Sequence, residues 1–265
     1  MLVRTLEQLE QMGRVRFPAD ASFRSARFFT ADDAMGFSYN ENRVRAGTEL
    51  TVWLKHHWEA NYIVSGRGEV TDLTDGRAFA LEPGVVYVVG PNDRHQLRFT
   101  EDECHLSVFF PPLKGDERFD EDGSYEPSGP IPRTDRRMFL KRLAELRSAG
   151  LEAASEDGNV FTIPLLGEAD GVGFGMLHKR LEPGGELQAA LNHQGWQAGH
   201  VISGALQVSD PTSGATRELE AGMAFASAPE EDYRLCALEP AELVSVQSPA
   251  AAMPGASANS SGTDR

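Results

Sequence analysis

Short apolar runs broken by Gly, Pro, Asn and Asp dominate the chain, and within them apolar and polar residues tend to alternate. Period-two alternation over short runs is the signature of half-buried strands. The clearest predicted strands in the first half lie at 51–54, 62–64, 68–72, 85–89 and 105–110. Ser65-Gly-Arg-Gly68 and Thr74-Asp-Gly76 supply turn residues between them. Strands at this spacing predict a small barrel or sandwich. The pattern changes once. Phe139, Leu143 and Leu146 fall at i, i+4 and i+7, with Arg and Lys between them and Gly150 beyond. That spacing predicts a helix over 134–149, capped by Thr134 or Asp135 and packed on a barrel as a connector. Residues 115–133, rich in Gly, Pro, Asp and Glu, read as a tail or linker. From 156 to 248 the short strands return, and the Ala/Ser/Gly/Asn-rich end, 249–265, reads as disordered.

The second half repeats the first. Trp58-Glu-Ala-Asn-Tyr-Ile-Val-Ser-Gly66 recurs as Trp196-Gln-Ala-Gly-His-Val-Ile-Ser-Gly204, and Leu81-Glu-Pro-Gly-Val-Val-Tyr87 as Leu219-Glu-Ala-Gly-Met-Ala-Phe225. In the same register His95 aligns with Tyr233. Glu59, Tyr87 and His95, all able to bind a metal, thus become Gln197, Phe225 and Tyr233. His193, four residues before Gln197, is the sole remnant of a ligand set there. A duplication that keeps the scaffold and drops the ligands implies one working site and one scaffold repeat. The expected organisation is a metal-binding unit at 1–132, a connector at 133–155, a degenerate second unit at 156–248 and a tail at 249–265. The second unit would pack on the first as a partner subunit would, giving a monomeric pseudo-dimer or a homodimer.

Charge narrows the function. Forty acidic against 25 basic residues give a net charge of −15, which opposes nucleic-acid binding. No apolar run is long enough for a membrane helix, and the first residues carry no signal-peptide core, so a cytoplasmic protein is expected. Cys104 and Cys236, two thiols in such a setting, are expected to be free.

Two segments carry candidate chemistry. Glu59-x6-Gly66 resembles the end of the first cupin motif, and Gly84-x5-Gly90-Pro91-x3-His95 resembles the second. In a small barrel, strands distant in sequence point alternate side chains into one mouth, so such ligands meet. A carboxylate, a phenolate and an imidazole form a mostly oxygen site suited to iron(II), manganese or zinc. The paired histidines usual in the first motif are missing, with Leu54 and Lys55 near the place of the second; this argues against oxygenase chemistry. Adjacent His56 and His57 face opposite ways on a strand and are read as structural or rim residues.

The resemblance then becomes closer. Met1-Leu-Val-Arg-Thr-Leu-Glu7, Asp33-Ala-Met-Gly-Phe-Ser38, Ala46-Gly-Thr-Glu49, His57-Trp-Glu-Ala60, Gly84-Val-Val-Tyr87, Asp93-Arg-His95, Val108-Phe-Phe-Pro-Pro-Leu113 and Asp120-Glu-Asp-Gly-x-Tyr125 occur in one order. Over its first 127 residues the chain resembles the ectoine synthase family. The resemblance implies a metal-dependent cupin that cyclises N-γ-acetyl-L-2,4-diaminobutyrate to ectoine with loss of water, with Glu59, Tyr87 and His95 as metal ligands. It implies substrate contacts at Phe23, Ser25, Arg27, Asn42, Ser107, Phe109 and Glu117. Several depart from the family pattern: Phe23 replaces a Trp, Asn42 a Thr, Leu54 a Tyr, Ser107 a Cys and Phe119 a His. The metal triad is intact while polar contacts have changed, so a metal-dependent reaction is better founded than its substrate. His105 alternates with Ser107 and Phe109 and should share their face; it is a candidate to replace the lost histidine as a proton shuttle or to add a metal contact.

The sequence therefore predicts a mainly β bicupin of two jelly-roll barrels, a hydro-lyase acting on a small amino-acid-derived substrate. The alternatives are the same cyclo-condensation on another acylated or amidino amino acid, and a non-catalytic small-molecule-binding cupin.

Overall fold

A computed structural model of the chain describes residues 1–18, 20–131, 135–188 and 195–248. Each half is a pair of antiparallel sheets, one large and one small. In the first half the large sheet runs Phe139–Arg142, Val85–Val89, Trp58–Ser65, Glu103–Phe110, Ser38–Val44, Phe23–Phe29, Val15–Arg16. The small sheet runs Glu49–Trp53, Arg94–Phe99, Gly68–Asp72, Ala78–Leu81. The second half repeats both, its large sheet running from Leu2–Arg4 through Ala224–Ser227, Trp196–Ser203, Ala241–Ser248 and Gly175–Leu181 to Val160–Leu166 and Ala153–Ala154.

The edge strands are exchanged. Leu2–Arg4, at the start of the chain, pairs with Ala224–Ala226 of the second half. Phe139–Arg142 pairs with Val85–Val88 of the first. Each half thus completes the other's large sheet, and covers an edge that would otherwise template further pairing. After each exchanged strand comes a six-residue helix, Leu6–Gln11 or Leu143–Ser148. The repeat consequently begins at the exchanged strand, ahead of the predicted boundary near 156.

The predicted helix over 134–149 is corrected: the structure has strand Phe139–Arg142, then helix Leu143–Ser148 with Arg142 at its N-cap position. Asp135 caps nothing in this helix, and Thr134 lies outside the described residues. Phe139, Leu143 and Leu146 do pack against one core. A strand leading into a short helix reproduces the i, i+4, i+7 spacing. The decisive factor was the open edge at Val85–Val89, whose hydrogen bonds outweigh local helix propensity. The tail 249–265 and His193 also fall outside the described residues.

Strand alternation divides the apolar residues among three cores. Trp58, Ala60 and Tyr62 face the second half, as do Val86, Val88, Leu106 and Val108; they join Leu165, Phe174, Met176, Ala198, Val244 and Val246 in one shared core. The opposite parity, including Ile63, Val85, Tyr87 and Val89, fills the first unit's interior. Val201, Leu206, Phe225, Tyr233 and Leu243 fill the second. The large sheets therefore pack face to face. The recurring Ser-Gly turns explain themselves: Gly66 and Gly204 have φ of +82° and +74°, and a Cβ on either would overlap the backbone of the last strand of its own unit, at Asp102–Glu103 or Pro240–Ala241.

Polar groups inside the shared interface are matched. Glu41 is buried and accepts from Arg24 and Arg43, with His200 of the second half 3.5 Å away. His178, the counterpart of Glu41 in the repeat, stacks on Tyr62 at 6.0 Å. Burial alone would raise the Glu41 pKa, but His200 and Arg43 outweigh it and hold the carboxyl down at about 2. A depressed carboxylate contributes stability that is present above its ordinary value of 4.5 and is lost as pH falls toward 2. Acid titration of the melting temperature between pH 6 and 3 should therefore show a loss on the order of 2–3 kcal/mol from this group, and Glu41→Gln should flatten the curve. An unchanged slope in the variant would assign the acid sensitivity elsewhere.

Candidate active site

The interior of the first unit opens at one end into a cavity. Glu59 enters it from strand Trp58–Ser65, Tyr87 from Val85–Val89 and His95 from Arg94–Phe99. Phe23, Ser25, Asn42, His105 and Phe109 line the same cavity. Eight of the eleven sequence-predicted site residues thus meet there. The other three are displaced in instructive ways. Ser107 is fully buried one layer behind, between Asn42 and Asn61. Arg27 and Glu117 form an ion pair at 2.8 Å, each nearly buried, and line an outer pocket of about 620 Å³. That pocket shares Phe23, Ser25, Phe119 and Tyr125 with the inner cavity of about 70 Å³, and so forms its vestibule.

The three candidate ligands present the right atoms. His95 is buried and its Nδ1 lies 3.0 Å from the Asp93 carbonyl, so Nδ1–H donates there and Nε2 keeps its lone pair for the cavity. Burial lowers its pKa, favouring the neutral imidazole a metal requires. Asp93 is itself fixed by Arg137 at 2.9 Å and by the backbone of Met138 and Gly90. Burial also raises the Glu59 carboxyl, against the charge of His105, and pushes the Tyr87 phenol well above its ordinary value. A cation between them would reverse both shifts. No cluster of three His, Cys, Asp or Glu side chains able to hold a metal exists among the described residues; the set reaches three only through the Tyr87 phenol. A carboxylate, a phenol and a free imidazole nitrogen lining one cavity fit a hard divalent cation.

Beside this set runs a polar chain. His105 Nδ1 lies 2.7 Å from Glu103, and its Nε2 lies 3.1 Å from the Asn42 amide. Asn42 Nδ2 donates to Ser107 Oγ at 2.8 Å, and Ser107 donates on to Asn61. Burial opposes a charge on His105, but Glu103, then Glu59 and Glu41, raise its pKa overall. With Nδ1–H on Glu103, Nε2 is the acceptor while neutral. Protonation at Nε2 requires Asn42 to turn its oxygen inward.

Of the lining residues that sequence reasoning did not single out, two are polar, Asn40 and Tyr125. Asn40 is two positions before Asn42 on strand Ser38–Val44, so alternation alone could have found it; its Oδ1 is buried and unpartnered among the described residues. Tyr125 arrives on the irregular segment read as a linker. It stacks on Phe119 with centroids 4.5 Å apart and meets Phe109 edge-on. Far from being a free tail, 115–125 forms the cavity's lip. His57 braces it: fully buried, edge-on to Phe109 and Tyr125, with Nε2 3.1 Å from Ser128 and burial lowering its pKa to about 4.

In the second unit the counterparts of the candidate ligands bond to one another. Tyr233 O–H donates to Gln197 at 2.9 Å, and the Phe225 ring meets Tyr233 edge-on. Gly199 stands where the first unit has Asn61, and any Cβ there would overlap Phe225. The thiols are free, Cys104 buried and Cys236 partly so. No helix among the described residues is long and apolar enough to cross a membrane.

The architecture matches known two-unit cupins. Oxalate decarboxylase from Lactobacillus farciminis superposes with a TM-score of 0.68 over 96% of this chain and 87% of its own, at 13% identity. The E. coli protein Ylba gives 0.66 over 94% and 91%, at 11%. These likenesses define the fold class, a bicupin. Sequence then defines the family. The ectoine synthase family model matches residues 1–129. L-ectoine synthase of Desulfosudis oleivorans is 41% identical over 127 residues, which are 97% of that protein and 48% of this chain. That of Halomonas elongata is 38% identical over 128 residues, 93% of its length. The chain belongs to the ectoine synthase family through its first half and is an enzyme of the hydro-lyase class.

Proposed function

We propose that the first unit closes N-γ-acetyl-L-2,4-diaminobutyrate to ectoine, using a divalent metal, iron(II) by preference over zinc or manganese, held by Glu59, Tyr87 and His95. The observation that supports this most is the meeting of those three side chains, from three separate strands, in one cavity. A bound metal would supply Lewis-acid polarisation of the acetamide carbonyl.

The chain's own residues account for the rest. Ring closure forms a bond from the α-nitrogen to the acetamide carbon, and the carbonyl oxygen leaves as water with the two hydrogens of the α-amine. His105 Nε2 is placed to take the first proton and return it to the departing oxygen, with Glu103 stabilising the imidazolium and Asn42 reversing its amide to follow. The unpartnered Asn40 Oδ1 offers an acceptor to the substrate's N–H. Phe109, Phe119 and Tyr125 wall off bulk water, which protects the cyclic amidine from hydrolysis. Holding both ends of the substrate in one cavity supplies much of the rate. Arg27, neutralised by Glu117, is a wall of the vestibule rather than a free carboxylate receptor; Arg16 and Arg118, also in that wall, are better placed to receive the substrate's carboxylate.

The test is turnover of that substrate by anaerobically purified, iron(II)-loaded protein, with product read by chromatography. Ectoine is the expected product. No product despite one metal per chain would move the reaction to another acylated or amidino amino acid. The substitutions at Phe23, Asn42, Leu54, Ser107 and Phe119, four of them on the cavity lining, favour that second reading.

His105→Ala should lower turnover by about 10²-fold or more, as loss of a general base does, with metal content unchanged. Unchanged turnover and metal content together would remove His105 from the reaction. A fall in metal content would make it a ligand instead.

A further inference from the structure

The second unit lost the three candidate ligands, yet its interior retains a polar pocket of about 160 Å³. Lys179, Gln188, Gln197, Tyr233, Ser245 and Gln247 line it, among Leu177, Leu187 and Val246. Strand Gly175–Leu181 explains Lys179. His178 points into the interface beside Tyr62, so its neighbour Lys179, in parity with the interior residue Leu181, points inward. By strand pairing it occupies the position of Asn42, for Asn42 lies opposite His105 and Lys179 opposite Leu243, the counterpart of His105. Ser245 and Gln247 take the places of Ser107 and Phe109, and Gln197 that of Glu59.

Lys179 makes no ion pair or hydrogen bond among the described residues, and none of the pocket's lining side chains is acidic. The sequence 189–194, next to Gln188, also contains no acidic residue. Burial pulls the Lys179 ammonium down to about 8, with no opposing carboxylate to hold it up. A half-buried ammonium that lines such a pocket without a partner is costly. Its cost is offset when an anion joins it. The lining limits that anion. One cation, with no arginine and no helix end in the lining, matches a single negative charge and not a phosphate dianion. Three amide side chains and two hydroxyls suit a ligand with further polar atoms.

We propose that the second unit is a binding site for a small organic monocarboxylate, its carboxylate paired with Lys179 and its polar body held by Gln197, Gln247 and Ser245. The silent repeat is then silent in metal chemistry alone. This inference does not depend on the reaction of the first unit.

Calorimetry on the full chain with acetate and ectoine as probes tests it, in a Glu59→Ala background that disables the candidate metal site. The expected result is binding in Glu59→Ala that weakens about tenfold or more when Lys179→Met is added, because truncating one side of a desolvated charge pair leaves the other unpaired. Lys179→Arg should retain binding. A variant-free measurement guards against misfolding: acetylation of Lys179 by acetic anhydride, read by mass spectrometry, should fall several-fold with saturating ectoine while Lys55 and Lys114 are unaffected. Lys179→Met alone should leave the lyase activity unchanged. The proposal is overturned if neither probe protects Lys179, if affinity survives Lys179→Met, or if inorganic phosphate binds more tightly than either carboxylate.

Discussion

Glu59→Ala and His95→Ala are each expected to abolish turnover, by about 10³-fold or more, and to lose bound metal in parallel. Both side chains line the inner cavity, and His95 Nε2 is left free by the Nδ1 contact to Asp93. On the proposed reading, losing one of the three candidate ligands reduces metal affinity and removes the polarising charge at once, and the latter is commonly the largest contribution to such a reaction. Tyr87→Phe should be less severe for folding, since the ring stays in the core, and should still impair metal retention. The measurements are metal content by mass spectrometry and product by chromatography on the same preparations. Full metal occupancy with lost turnover in Glu59→Ala would give Glu59 a catalytic role other than ligation. Normal turnover in any of the three would remove that residue from the set. A graded control lies behind them: Asp93→Asn keeps the carbonyl that orients His95 but weakens the pairing with Arg137.

Deleting residues 134–265 is expected to yield no soluble monomer. The deletion removes strand Phe139–Arg142 and so opens the edge at Val85–Val89. It also uncovers the face of the large sheet. Phe28 loses the ring of His200, Tyr39 loses its bond to the Val244 carbonyl, and Tyr62 loses His178. Exposing three such side chains costs about 5–8 kcal/mol, a large part of the 5–15 kcal/mol that holds a typical domain together. The truncated chain should therefore aggregate, or pair through the exposed sheet as a homodimer in which Leu2–Arg4 is free to seek a second copy. Light scattering after size exclusion distinguishes these outcomes. An active, monomeric truncated form would refute the view that the second half serves as a built-in partner subunit.

The reach of the sequence differed from one site residue to the next, for physical reasons. Glu59, Tyr87 and His95 were legible because each sits on a regular strand or at its start, within a motif whose repeat shows what replaces it. His105 was legible by parity with Ser107 and Phe109. Asn40 was equally available by parity with Asn42, since strand alternation is strict. Tyr125 was not legible. It lies on a segment without periodicity, and its place over the cavity is set by contacts with Phe109, Phe119 and His57. Arg27 and Glu117 were recognised as charges, but distance in sequence hid that they satisfy each other.

By itself the sequence determined the β class, the duplication, and the presence of the three candidate ligands in one repeat and their absence from the other. These follow from alternation and from residue identity, which are local. The tertiary structure alone decided which half completes which sheet. A three-residue strand such as Leu2–Arg4 carries too little pattern to specify its partner, and its pairing with Ala224–Ala226 rests on an edge more than two hundred residues away. It alone also turned part of the predicted connector helix, Phe139–Arg142, into a strand, because an open edge offers hydrogen bonds that local propensity cannot foresee. Last, it placed Lys179 in the second unit's pocket without a partner among the described residues, since whether a charge is paired depends on every element packed around it.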